Sequence, residues 1–106
     1  MQDSLDIQKI ADELDFDLSD VEMLLQVFTE TAEESLEVLK TAISALNYTE
    51  IYNASHSIKG SAANLKLLKI SDLAKQLEFA ASSKEAIDYN TISLQLAEEI
   101  HKIKTR

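Results

Sequence analysis

The 106-residue chain has no cysteine, no proline, no tryptophan and a single glycine. Without cysteine there is no disulfide, no thiolate-bound zinc and no thiol nucleophile, and nothing depends on an oxidising compartment. Without proline, and with Ala, Leu, Glu and Lys abundant, the residues that break helices are missing while those that lose least on entering one dominate. No run of about 18 apolar residues exists, so no membrane span is expected. The opening MQDSLDIQKI has no basic start followed by an apolar stretch, so no secretory signal is expected and the cytoplasm is the default location. What these absences leave is an all-α protein, a single domain over residues 1–106 large enough for one hydrophobic core.

The net charge of −9 argues against binding a phosphate backbone, so no nucleic-acid partner is expected. Its distribution is uneven. Residues 1–50 hold 13 acidic side chains against Lys9 and Lys40, whereas residues 51–106 hold eight basic against six acidic ones. From His56 to Lys75 the order of residues gives Lys59, Lys66, Lys69 and Lys75 against Asp72 alone, a local +3. Such a region would steer an acidic partner more than it would deepen affinity.

Apolar spacing places the helices. Ser19-Asp20-Val21-Glu22 has the form of a capping box flanked by Leu18 and Met23 as a hydrophobic staple, which predicts a helix starting at Asp20. Val21, Leu24, Leu25, Phe28, Ala32, Leu36, Leu39, Ile43 and Leu46 then step by threes and fours, a rod of about 27 residues and roughly 40 Å. Asn47 with Glu50 repeats the start signal, with Leu46 and Ile51 as a second staple, and the near absence of a turn forces an antiparallel neighbour. A third helix carries Ile51, Ala54, Ile58, Ala62 and Leu65; a fourth carries Ile70, Leu73, Leu77 and Ala80; Asp88 caps a fifth with Tyr89, Ile92, Leu96, Ile100 and Ile103. A short amphipathic segment, Ile7, Ile10, Ala11 and Leu14, precedes them. The predicted architecture is an antiparallel up-down-up-down four-helix bundle with a short additional N-terminal helix.

On the third helix His56 lies about 200° from Ile58 and points to water, with Tyr52, Lys59, Gly60 and Ala63 within roughly 60° of it. Side chains on a helix lean toward its N-terminus, so the residue at position 60 would cover the surface beside position 56. Glycine there removes that cover at a cost of about 0.8–1 kcal/mol against alanine. Lys59, three residues on, can hold its ammonium near anything attached to the imidazole. An exposed nucleophilic ring, an adjacent cation and an uncovered approach describe a site that receives a phosphoryl group. An imidazole needs no recruited base, because at neutral pH most of it is already in the nucleophilic form.

The run Ala54-Ser55-His56-Ser57-Ile58-Lys59-Gly60-Ser61-Ala62-Ala63-Asn64-Leu65, followed by Leu73 and Leu77-Glu78, resembles the signature of the histidine-containing phosphotransfer (HPt) domain of two-component phosphorelays, and the resemblance spans essentially the whole chain. It implies a phosphorelay intermediate that accepts a phosphoryl group on His56 from an aspartyl-phosphate receiver domain and passes it to another receiver aspartate. It also implies that Nε2 takes the group and that Glu78, at the position where the family places Glu or Gln, holds the other ring nitrogen. Lys59 would supply charge to the phosphoryl oxygens, and Gly60 would uncover His56 for docking. The chain has no Gly-rich phosphate loop, nucleotide motif or metal cluster, so a phosphocarrier without kinase activity of its own is expected, binding no cofactor, with Mg²⁺ supplied by the receiver. The implied partners are response-regulator receiver domains or a hybrid sensor histidine kinase, met by a monomer.

The sequence departs from the family pattern where a second glycine is usual, ten residues after the histidine, and has Lys66 instead. A left-handed lysine costs about 1 kcal/mol, which favours a different exit from the helix. Two other readings compete. A di-iron bundle needs two Glu-x-x-His pairs, and Glu98-Glu99-Ile100-His101 supplies only one; His101 instead suits the C-terminal end of the last helix. A helical adaptor or dimerisation domain would account for the bundle but not for His56 beside Lys59 and Gly60.

Overall fold

Five helices make up most of residues 6–105, the residues described by the computed structural model: α1 (Ile7–Leu14), α2 (Leu18–Ser44), α3 (Tyr48–Asn64), α4 (Leu68–Ser82) and α5 (Tyr89–Lys104). The reading of the chain's opening at residues 1–5, and the ends of the expected domain, lie outside them. α2 and α4 each pack against α3 and α5, while α1 lies on α2 alone. Three-residue links at 45–47 and 65–67 make consecutive long helices antiparallel. This is the four-helix bundle with an added N-terminal helix that the periodicity predicts. Its long dimension, 41 Å, is set by the 27-residue α2.

The apolar stripes meet inside. Val21, Leu25, Leu39, Ile51, Ile58, Leu77, Leu96 and Ile100 are all 2% exposed or less. Two of the anticipated helix starts are as the sequence has them: the Asn47 side chain accepts from the Glu50 amide at 3.2 Å, and Asp88 accepts from the Thr91 amide at 3.0 Å. A third cap, Asp6 accepting from the Lys9 amide, opens α1.

The start of α2 differs from the expectation. Its N-cap is Asp17, whose backbone carbonyl takes the Val21 amide at 3.1 Å, so the helix begins at Leu18 and not at Asp20. Ser19 is thereby inside the first turn, no side-chain cap forms, and the capping box does not exist. Leu18 and Met23, 48% and 65% exposed, make no staple. Leu46 also departs, being 58% exposed with φ 50°, so the stripe of α2 ends at Ile43 and the second staple is absent.

Leu46 belongs to a pattern. Asp15, Leu46, Lys66 and Lys84 are all left-handed, one after each of the first four helices. After α3 the Lys66 amide bonds to the Ala63 carbonyl at 3.1 Å and the Leu67 amide to the Ala62 carbonyl at 2.9 Å, the paired bonds of a Schellman ending. Matching pairs close α2 through Leu46 and Asn47 and α4 through Lys84 and Glu85. The alternative exit anticipated at Lys66 is therefore not taken. The carbonyls that the turn satisfies, and the burial of Leu67 at 4% exposure directly after it, outweigh the Cβ penalty. Lys66→Gly is expected to raise the unfolding free energy by about 0.5–1 kcal/mol, and β-branched Lys66→Val to lower it, in denaturant titrations with unchanged m-value. A destabilised glycine variant would contradict the strain at this position.

Candidate functional site

The third and fourth helices present one cluster of polar side chains at their shared face. His56 comes from the middle of α3 on its solvent side, its side chain 59% exposed, with Ile58 and Ile51 buried on the opposite side. Glu78 comes from α4 and is 5% exposed. Leu77 beside it is wholly buried, and the two sit at the α3 contact because α4 runs antiparallel from Leu68. A second stitch between these helices, the Ser71 hydroxyl donating to the Lys59 carbonyl at 3.3 Å, lies one turn away along α3.

Glu78 bridges two residues of α3. One carboxylate oxygen, Oε2, is 2.6 Å from His56 Nδ1, and the other, Oε1, is 2.6 Å from Lys59 Nζ. Burial pushes the Glu78 carboxyl up, but the hydrogen bonds from Lys59 and His56, together with their charges, more than offset this and hold it below the usual carboxylate range. An ionised carboxylate can only accept hydrogen bonds, so Nδ1 must carry the proton. In the neutral ring the lone pair then resides on Nε2. The geometry thus selects one tautomer and turns its nucleophilic nitrogen away from the buried partner.

The four residues singled out in the sequence fall together here. His56, Lys59 and Glu78 are in direct contact, and Gly60 lies on the exposed side of α3 next to them. A Cβ built on Gly60 would meet nothing within 4 Å, and its backbone has no positive φ, so neither packing nor conformation in this chain requires glycine. Lys59 is half-buried and bound to Glu78 rather than reaching into solvent. Tyr52, placed by phase on the same face but given no part, stacks on His56 with ring centroids 5.8 Å apart and planes 6° from parallel. The signal that points to it is local: an aromatic four residues before a histidine on one helix face.

The local positive charge read from residue order is smaller in space. Glu78 pairs with Lys59, and Glu99, brought across from α5, lies 3.3 Å from Lys69. Lys75 sits over the Phe79 ring at 5.5 Å. Both carboxylates are distant in sequence from the lysines they meet, which is why counting along the chain misses them. His101 stands in the last turn of α5 with Lys102 and Lys104. Among the described residues no group of three or more His, Asp or Glu side chains gathers as a metal site would need, and no helix is long and apolar enough to cross a membrane.

Comparison with known proteins agrees with this arrangement. A solved structure, histidine-containing phosphotransfer protein B from Pseudomonas aeruginosa PAO1, superposes with a TM-score of 0.84 at 23% identity, covering 99% of this chain and 91% of that one. At that identity the match speaks for the fold. The sequence finds no match among curated proteins. The family model of the Hpt domain matches residues 23–105, which takes in α3, α4, α5 and nearly all of α2. The chain belongs to the Hpt domain family and serves phosphotransfer in two-component signalling.

Proposed function

We propose that His56 is the residue on which this Hpt domain carries its phosphoryl group, receiving it from the aspartyl phosphate of one receiver domain and giving it to the aspartate of another. The observation that carries this reading is the 2.6 Å contact between His56 Nδ1 and the buried Glu78, which leaves Nε2 as the exposed nucleophile. In the forward step the Nε2 lone pair attacks phosphorus, the phosphorus–oxygen bond to the receiver's aspartate breaks, and that aspartate departs as a carboxylate. The Nδ1 proton stays in place, so the ring gains positive charge, and Glu78 is positioned to stabilise it. No proton crosses the interface, and the step can run in either direction.

The transferring oxygens need positive charge, and Mg²⁺ in the receiver's acidic pocket supplies most of it. Lys59 contributes from this side. Its ammonium is anchored on Glu78 Oε1 in the resting chain, which keeps it beside the ring. The partners are receiver domains, presented alone or within a hybrid sensor histidine kinase, and the chain works as a cytoplasmic monomer without ATP-dependent activity of its own.

A receiver incubated in its phosphorylated form with this chain is expected to label it with acid-labile, base-stable phosphate. His56→Gln should lose all label and His101→Gln none; label retained in His56→Gln would overturn the assignment.

Gly60 supplies a second test because it separates stability from docking. With open space around it, Gly60→Ala should stabilise the chain by about 0.8–1 kcal/mol through helix propensity alone. Gly60→Glu should fold equally well yet slow transfer at least tenfold by obstructing the receiver's approach. Unaltered transfer in Gly60→Glu would contradict the role of the bare surface.

Glu78 links the site to pH. A carboxyl whose folded value is lowered contributes stability that is present above its ordinary value of 4.5 and is lost as pH falls through the lowered one. Glu78→Gln is therefore expected to cost on the order of 1.5–3 kcal/mol at pH 7, the range for a hydrogen bond to a charged group. The difference from the parent should shrink as pH drops below 4.5, in chemical unfolding followed across that range. A constant difference down to pH 3 would show that the ionised carboxylate is not the stabilising species.

A further inference from the structure

The hydrogen bond to Glu78 holds Nδ1 at one distance from the carboxylate but does not by itself lock the tilt of the imidazole. Coupled changes of the two side-chain torsions keep that distance while the ring swings, and the torsion between Cβ and a flat ring is intrinsically broad. Most of the His56 side chain is in solvent, with 59% of its surface exposed, and Gly60 offers no side chain on the C-terminal side. On the N-terminal side stands Tyr52, one helical turn back, with its ring within 6° of parallel to the imidazole and its centroid 5.8 Å away. That separation lies within the range of offset-stacked aromatic pairs. Tyr52 is 37% exposed, so the hydrophobic core does not account for an aromatic residue there.

We propose that Tyr52 is a positioning residue for His56: its flat face holds the imidazole plane, so that Nε2 is presented at one orientation and the phosphoryl group must approach from the side left open at Gly60. The proposal rests on the reading of His56 as the phosphoryl carrier, and adds what Glu78 alone cannot do. Two constraints, a point contact at Nδ1 and a surface contact on the ring face, define the ring's orientation; either one alone leaves a rotation. In-line transfer is sensitive to such a rotation, since small misplacements of a reacting atom are amplified in the rate.

The test compares Tyr52→Phe, Tyr52→Leu and Tyr52→Ala with the parent chain in two measurements. The first is NMR on the unphosphorylated protein, giving ¹³C order parameters of the His56 ring and its tautomer populations from ¹⁵N shifts. The second is single-turnover transfer from a phosphorylated receiver. Tyr52→Phe keeps the stack and should match the parent in both. Tyr52→Leu keeps apolar bulk without a flat face, and should match Tyr52→Ala in lower ring order and transfer slowed about three- to tenfold, the range a lost aromatic pair allows, while Glu78 keeps the Nδ1-protonated tautomer in both. Ring order and rate at the parent level in Tyr52→Leu or in Tyr52→Ala would overturn the proposal, as would loss of both in Tyr52→Phe. If the parent chain took no label on His56, the phosphoryl-carrier reading would fall, and the ring-order comparison would still decide what Tyr52 does.

Discussion

A carboxylate that is 5% exposed cannot stay ionised without partners, and Glu78 finds both of its partners on the neighbouring helix. His56 and Lys59 are three residues apart on α3, a spacing that puts two side chains on one face, and Glu78 reaches between them from α4. The contact therefore exists only if α3 and α4 are held in one register. That register is imposed by the three-residue link at 65–67 and by the apolar seam beneath it, where Ile58, Ala62, Ala74 and Leu77 are essentially fully buried. Everything proposed for the exposed ring, its tautomer, its orientation and the placement of Lys59, follows from the position of this one buried group.

Glycine is used here in an inverted way. Three turns that join long helices, and the one after α1, each hold a left-handed residue, and none of these is glycine. The only glycine stands instead in the interior of α3, in ordinary helical conformation with empty space around it. Both choices lower stability, each by something near 1 kcal/mol. The strain at Lys66 is held by the hydrogen bonds and burial around the turn. The deficit at Gly60 has no compensation within the chain, which points to a benefit outside it, in the approach of a partner to His56. Proteins commonly surrender stability at sites where function needs an opening.

Much of the fold was legible because it is local. The caps at Asn47 and Asp88 and the apolar stripes depend on residues within a few positions of one another, and short links leave little choice of topology. The start of α2 departs from expectation for the same reason: Ser19 and Glu22 fit a local rule, but Asp17 starts the helix earlier and leaves Leu18 half in solvent. His56, Lys59 and Gly60 could be grouped by helical phase. Glu78 could not, since no spacing rule connects position 56 to position 78, and only the family resemblance pointed to it. The pairing of Lys69 with Glu99 and the seating of Lys59 on Glu78 were beyond reach of residue order, because each joins two helices. Lys66 shows the limit of propensity: a lysine takes the conformation that glycine prefers once tertiary contacts on either side require it.

The role of Glu78 depends on which atom of His56 bears the phosphoryl group. Uniformly ¹⁵N-labelled chain, phosphorylated by a receiver and observed by ¹⁵N and ³¹P NMR, reports it directly. Phosphorus is expected on Nε2 of His56, with Nδ1 still protonated and facing Glu78. Phosphorus on Nδ1 of His56, or on any other residue, would contradict that role.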